Sequence, residues 1–202
     1  MIDLYTYRTP NGRKPSIFLE EVGLPYTLKK VDLKTGEQFH QDFVAINPNS
    51  KIPAIVDHDT GITVFESGAI LVYLGEKTGQ FLPTSLAERA NVMQWLMFQM
   101  GNIGPMFGQL GHFRHSAPEN IPYGIERYEK ESLRLCKVMD QQLASRDFLA
   151  GDYSIADIAT YPWVAIYEHL QLSIDDCPHL LRWLNRLQER PAVYKGMNIL
   201  KD

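Results

Sequence analysis

The chain has 202 residues, 45% of them hydrophobic, 22% charged and 11% aromatic, with a formal net charge of -4. That length suits one large globular domain or two small ones, and the composition is neither disordered nor fibrous. The slight acidity gives no general attraction to nucleic acid or anionic membrane, and no apolar run approaches the ~20 residues that span a bilayer.

Met1-Ile2-Asp3-Leu4-Tyr5 is acidic and strand-like, which predicts no secretory leader. Ile2 to Tyr7 alternates apolar and polar positions, as a half-buried strand does. Asn11-Gly12 marks a turn, and Pro15 stands near the start of a helix carrying Ile17, Phe18, Leu19 and Val22, ended by Gly23 and Pro25. Tyr26 to Leu33 reads as a second strand and Gln41 to Ile46 as a short helix. Ala54 to Asp57 and Ile62 to Phe65 read as a hairpin around Asp59-Thr60-Gly61, and Glu66 to Thr78 as a helix ended by Gly79. Strand signals then stop. Pro83-Thr84-Ser85 reads as a linker, followed by helices over Leu86 to Met100, Tyr123 to Ser145, Ile155 to Leu170 and His179 to Glu189. Gly101, Gly104, Pro105, Gly108 and Gly111 are expected to interrupt or kink the first of these. Ser154-Ile155-Ala156-Asp157 is a capping box, with Tyr153 placed to staple against Ile158.

Two segments carry the chemistry. Asn47-Pro48-Asn49-Ser50-Lys51-Ile52-Pro53-Ala54-Ile55-Val56 is a turn cluster and Ile-Pro step entering an apolar strand. Phe65-Glu66-Ser67-Gly68-Ala69-Ile70 places an acid and a hydroxyl at the opening of an apolar helix. A helix N-terminus holds unpaired N–H groups and partial positive charge, so it receives a carboxylate readily. Glu66 can take an ammonium beside it, and Lys51 a further carboxylate. The ligand so described is a small zwitterionic peptide. Cys136 and Cys177 lie far apart and outside any CxxC, which predicts no disulfide framework, zinc site or dithiol and suits a reducing cytoplasm.

Together these segments resemble the glutathione site of glutathione transferases, and the resemblance runs from end to end of the chain. It implies an α/β plus all-α protein: an N-terminal thioredoxin-like domain over residues 1–82, a linker over 83–88 and an all-helical C-terminal transferase domain over 89–202. It also implies a cytoplasmic homodimer that binds glutathione and holds no metal. The Pro53 peptide bond would be cis, with the Ile52 backbone pairing with the ligand's cysteine as added strand. Thr9-Pro10-Asn11-Gly12 is similar to the segment of the nu class, the glutathione-dependent disulfide-bond oxidoreductases, in which a threonine hydroxyl and an asparagine amide face the sulfur. Such donors are needed because a thiol near its ordinary pKa, about 8.5, is mostly protonated at neutral pH. On that pattern Thr9 and Asn11 are the catalytic pair, with Tyr7 as the alternative donor. Gln38, Lys51, Ile52, Pro53, Glu66 and Ser67 bind glutathione, and Arg127, in Ile121-Pro122-Tyr123-Gly124-Ile125-Glu126-Arg127-Tyr128, helps to hold a second one. His112 lies where the second-substrate pocket is expected and is given no catalytic role.

The chain departs from the class in a short Val56 to Ile62 connection and in ending soon after Leu200, which leaves the second substrate open between a small disulfide and an electrophile. Three activities follow from the resemblance: disulfide reduction through bound glutathione, which the Thr9-Asn11 pair favours; conjugation of glutathione to electrophiles; and glutathione binding in a non-catalytic regulator.

Overall fold

A computed structural model describes residues 1–200 of the chain. They form two compact units, one of Met1–Leu82 with the segment from Glu189 onward, the other of Pro83–Gln188.

The first unit contains β1 (Ile2–Thr6), α1 (Pro10–Val22), β2 (Tyr26–Lys30), a 3-10 turn at Glu37–Phe39, α2 (Gln41–Ile46), β3 (Ala54–Asp57), β4 (Ile62–Phe65) and α3 (Ser67–Thr78). Its sheet has the order β2-β1-β3-β4, with β1 parallel to β2 and antiparallel to β3, and β3 antiparallel to β4. A parallel pair needs a crossover, which α1 supplies. This is the thioredoxin-like arrangement expected from the sequence. Ile2 and Leu4 are buried on one face of β1. On the other face Tyr5 packs with Val31, Phe43 and Ala54, its ring 6.1 Å from that of Phe43 on α2. Ile17, Phe18 and Leu19 of α1 and Ile70, Leu71 and Leu74 of α3 are fully buried where those helices pack together.

Helix α1 begins at Pro10, five residues before the proline expected to open it. Thr9 is its N-cap in extended conformation, its Oγ1 accepting from the Gly12 N–H at 3.1 Å, so Asn11-Gly12 is the first helical turn rather than a separate turn. Pro10 fills the first position without loss because that N–H has no helical partner, and Pro15 is tolerated within the helix. Only glycine fits at position 12, where a Cβ would lie 2.2 Å from the Tyr7 carbonyl oxygen. Gly23 ends the helix in the left-handed region, as expected. β2 stops at Lys30 rather than Leu33.

The second unit is helical: α4 (Leu86–Phe98), a π-helical turn at Gln99–Ile103, α5 (Gly104–His115), α6 (Pro122–Leu143), α7 (Ile155–Val164) and α8 (Pro178–Gln188). The interruption expected from the glycines is confined to the π turn. Gly108 and Gly111 remain helical, and their missing side chains admit Trp163 and Leu170, which a Cβ would meet at 3.3 and 3.1 Å. α7 ends at Val164 rather than Leu170.

Helix α9 (Pro191–Met197) belongs to the first unit, whereas the sequence reading ran the helical domain from 89 to 202. Its Gly196 lies so close to α1 that a Cβ would meet the Ile17 Cα at 2.5 Å. Ser16 Oγ donates to the Gly196 carbonyl at 2.9 Å, and Arg190 forks onto Glu21 at 2.7 and 2.8 Å.

Candidate functional site

The register of the sheet gathers the sequence-predicted residues of the first unit. Tyr5 lies opposite Ala54 and Ala54 opposite Phe65, so three segments leave the sheet at one end. They are the turn from β1 to Thr9 and Asn11, the Lys51-Ile52-Pro53 approach to β3, and Glu66-Ser67 after β4. β2 ends at the same side, Thr6 being paired with Lys30, and its exit leads toward Gln38. Arg127 is in the second unit.

At α3, Glu66 is the N-cap residue with φ 69 and ψ 118, and no side chain caps the helix. A non-glycine residue held in that region is strained, by roughly 1–3 kcal/mol. Ser67 opens the helix, buried, while the Glu66 side chain is exposed.

The Ile52-Pro53 bond is cis, and the β3 ladder begins only at Ala54, so neither backbone group of Ile52 takes part in it. Ile52 anchors itself by packing on Val31, Phe43 and Ala54. The Lys51 carbonyl accepts from Asn47 Nδ2 at 2.5 Å, fixing the loop while the Lys51 side chain stays exposed. Gln38 is half-buried in its 3-10 turn, and its Oε1 is buried with no hydrogen-bond partner among the described residues. A buried acceptor left so costs free energy until something donates to it.

At the start of α1, Thr9 and Asn11 are half-buried on the first turn, where the helix dipole favours negative charge. Thr6 Oγ1 donates to the Gly12 carbonyl at 2.9 Å, tying that turn to the end of β1. Burial and the adjacent Asp32 carboxylate both push the Tyr7 phenol above its ordinary value, making it a poorer acid than a free tyrosine.

One participant escaped the sequence reading. Lys14, on the second turn of α1, is fully buried and donates from Nζ to Ser67 Oγ at 3.1 Å, linking the starts of α1 and α3. Burial pulls its ammonium down to about 7, with Glu66 acting in the opposite direction. The available signal was its spacing: Ile17 and Phe18 follow at i+3 and i+4, which puts a lysine on the apolar face.

In the second unit Arg127 is exposed on α6 and lines a cavity of about 560 Å³ with Met106, Tyr123, Glu126, Lys130 and Arg134. Gly124 lets Phe113 approach α6, where its ring stacks on Tyr128 at 5.5 Å. His112 lies in the last turn of α5, exposed, with its ring 5.4 Å from Phe113. Both cysteines are buried in this unit. Burial drives the Cys136 thiol up to about 12, and burial with the Asp176 charge drives Cys177 up to about 11. Neither is a thiolate at neutral pH. Among the described residues no cluster of histidine, cysteine and carboxylate side chains could hold a metal ion. No helix there is long and apolar enough to cross a membrane.

Comparison with known proteins agrees with this geometry. Residues 1–76 match the glutathione S-transferase N-terminal domain and residues 105–191 the glutathione S-transferase C-terminal domain. The chain is 50% identical to the disulfide-bond oxidoreductase YfcG of Escherichia coli, over 100% of this chain and 95% of that protein. Identity to YghU, another disulfide-bond oxidoreductase of that organism, is 44% over 96% of this chain and 73% of the relative. A glutathione transferase from Burkholderia graminis, solved with two glutathiones bound per subunit, superposes with a TM-score of 0.94 at 46% identity, covering 99% of this chain and 88% of the other. One from Pseudomonas putida, solved with one glutathione disulfide per subunit, gives 0.95 at 44% identity, covering 99% and 92%. The chain belongs to the glutathione S-transferase family, as its open α3 terminus, cis Ile52-Pro53 step and two-unit architecture had indicated.

Proposed function

We propose that this protein is a glutathione-dependent thiol-disulfide oxidoreductase in which glutathione, rather than a protein cysteine, is the reactive thiol. The observation that carries the reading is the start of α1. A hydroxyl, an amide and a helix N-terminus stand where a protein nucleophile would be, while both of the chain's thiols are buried and held protonated. The similarity to YfcG and YghU supports it.

Each group then has a task. Glu66 and Ser67 hold the ammonium and carboxylate of the γ-glutamyl end, with the uncapped N–H groups of α3 beneath. The Ile52 backbone pairs with the central cysteine, beside the buried Pro53, and Lys51 and Gln38 hold the glycine end. Thr9 and Asn11 donate to the sulfur and favour its thiolate, assisted by the α1 dipole. In the balanced reaction one substrate disulfide and two glutathiones give two thiols and one glutathione disulfide, two electrons passing to the substrate. Arg127 would hold a carboxylate of the second glutathione with its forked donors, a role supported by the two glutathiones bound in the Burkholderia relative. The second substrate is a small disulfide. A homodimer is supported by large apolar side chains left exposed on both units, Ile62 and Phe65 on one and Met97 on the other. A cytoplasmic location is supported by two cysteines that remain unpaired.

The test is disulfide reduction by the double variant Cys136→Ser, Cys177→Ser, which is expected to keep near-native activity with glutathione. Loss of activity in a folded, glutathione-binding double variant would place a protein thiol in the reaction. On the same preparation, ultraviolet titration of bound glutathione should show a raised thiol pKa in Thr9→Ala and Asn11→Ala and little change in Tyr7→Phe. The opposite pattern would make Tyr7 the sulfur donor.

A further inference from the structure

Between β2 and the 3-10 turn that carries Gln38, one carboxylate gathers the chain. Asp32 Oδ1 accepts from the Lys34 N–H at 3.0 Å, and Oδ2 lies 2.9 Å from Lys30 Nζ at the end of β2. Glu37 holds the Asp32 backbone from the far side of the loop. Its N–H donates to the Asp32 carbonyl at 3.2 Å, and its Oε2 accepts from the Asp32 N–H at 2.6 Å. Gln38 follows Glu37 directly, so the turn that carries it is pinned to Asp32.

Tyr7, one residue past β1, braces the same carboxylate. Lys30 Nζ lies 5.9 Å from the centroid of the Tyr7 ring while it pairs with Asp32, so phenol, ammonium and carboxylate form one cluster. Lys30 first, then the Lys34 N–H and the Tyr7 hydroxyl, hold the Asp32 carboxyl below its ordinary range against the opposing effect of burial. A phenol has a single hydrogen, and one given to a carboxylate is not offered to a thiol. The Tyr7 carbonyl accepts from the Thr9 N–H at 2.8 Å, so this residue joins the turn before α1 to the Gln38 loop.

We infer that Tyr7 is a positioning residue for the glycine end of glutathione: with Lys30 it braces Asp32, and so holds the loop that presents Gln38 to that end. Gln38 Oε1 is buried without a hydrogen-bond partner among the described residues, an acceptor that an N–H of a bound peptide answers. A loop already ordered loses less freedom when ligand binds than a loose one, which is how a brace that never touches the ligand raises affinity. This inference rests on the assignment of Gln38 to the glycine end. It predicts that Tyr7 discriminates glutathione from γ-glutamylcysteine, which has the same thiol and γ-glutamyl group and no glycine.

Calorimetric titration of the intact protein with each peptide tests it. Tyr7→Phe should weaken glutathione about three- to tenfold, the scale of one ordinary hydrogen bond, and leave γ-glutamylcysteine unchanged. Lys30→Met removes the ammonium and keeps an apolar stem on the ring. It should weaken glutathione about twofold, again with no change for γ-glutamylcysteine. The thiol pKa of bound glutathione should keep the parent's value in both variants, which separates a brace from a sulfur donor. Gln38→Ala runs alongside and should weaken glutathione alone. If it does so while Tyr7→Phe and Lys30→Met bind both peptides as the parent does, the inference is overturned and the assignment of Gln38 stands. If Gln38→Ala leaves glutathione unchanged, that assignment falls and the inference with it. A loss shared equally by γ-glutamylcysteine would make Tyr7 part of the scaffold only, and a raised thiol pKa in Tyr7→Phe would make it a sulfur donor; either overturns the inference.

Discussion

Two helix starts, one in each unit, meet the same physical problem in opposite ways. At α7 the orphan donors are closed off. Ser154 Oγ accepts from the Ala156 N–H at 3.3 Å, and the fully buried Asp157 carboxylate accepts from the Ser154 N–H at 3.2 Å, the Leu149 N–H at 3.0 Å and Trp183 Nε1 at 2.9 Å. At α3 the N-cap side chain makes no capping bond, and that residue sits at φ 69, where glycine would be at ease. A closed terminus stabilises its own unit. An open one keeps its binding capacity for something outside the chain and is less stable for it. The S-x-x-D of one and the E-S-G of the other look equally like helix openings in the sequence; only the backbone conformation separates them.

The largest expected effect breaks the closed end. Asp157→Ala orphans the Leu149 and Ser154 N–H groups, the Ser154 hydroxyl and the Trp183 indole N–H, and should destabilise the second unit by about 3–5 kcal/mol, read by chemical denaturation followed through Trp183. Glutathione affinity of the folded variant should be unchanged, and a change would mean α7 is not merely structural.

A smaller effect, on the order of 2–3 kcal/mol, comes from pH. Burial pushes the Asp157 carboxyl up to about 6, its neutral donors only partly offsetting this. The folded state therefore holds that proton to higher pH than the unfolded chain, whose carboxylates titrate near about 3.9. Its contribution is full below that value and lost as pH rises through about 6. Asp57 in the first unit is equally buried, but Lys77 at 2.6 Å, the Tyr73 hydroxyl at 2.6 Å and the Asp59 N–H outweigh burial and hold it down at about 2. Its contribution is present above about 3.9 and lost as pH falls toward 2. Asp157→Asn should flatten the stability profile between about pH 4 and 6, and Asp57→Asn below about pH 4. Profiles that change in the same direction in both variants would show that the two carboxylates do not differ as described.

The smallest effect sharpens the open end. Glu66→Gly relieves the left-handed conformation and should raise stability by about 1 kcal/mol, measured by thermal unfolding, while glutathione affinity falls. A stability loss would mean that the Glu66 side chain supports α3 despite its exposure.

Much of this was legible in the sequence because it is written locally. The hairpin of β3 and β4 and the α2 segment follow from alternation and turn residues, and the Ser154 capping box is a four-residue signal. What was not legible depends on distant partners. Pro10 rather than Pro15 opens α1 because Thr9 caps it, and Asn11-Gly12 resembles a turn until the Gly12 contact with Tyr7 and Thr6 is known. α9 is not legible because seven residues carry no long apolar pattern, and its contact at Ile17 is remote in sequence. Lys14 is not legible as a site residue because charge normally signals exposure, and the Ser67 hydroxyl it donates to is 53 positions away. The left-handed Glu66 leaves no mark in residue type at all.

The close seat of Gly196 on α1 has a consequence for biosynthesis. A ribosome delivers the whole sheet and α3 of the first unit early, yet the helix that covers Ile17 and takes the Ser16 hydroxyl emerges only after all of Pro83–Gln188. Domains that fold as they are made usually complete themselves from the N-terminus. In this chain the half carrying the candidate site waits for a segment made after the whole second unit, so a nascent polypeptide stopped before Glu189 would carry Thr9, Pro53 and Ser67 on an unfinished body.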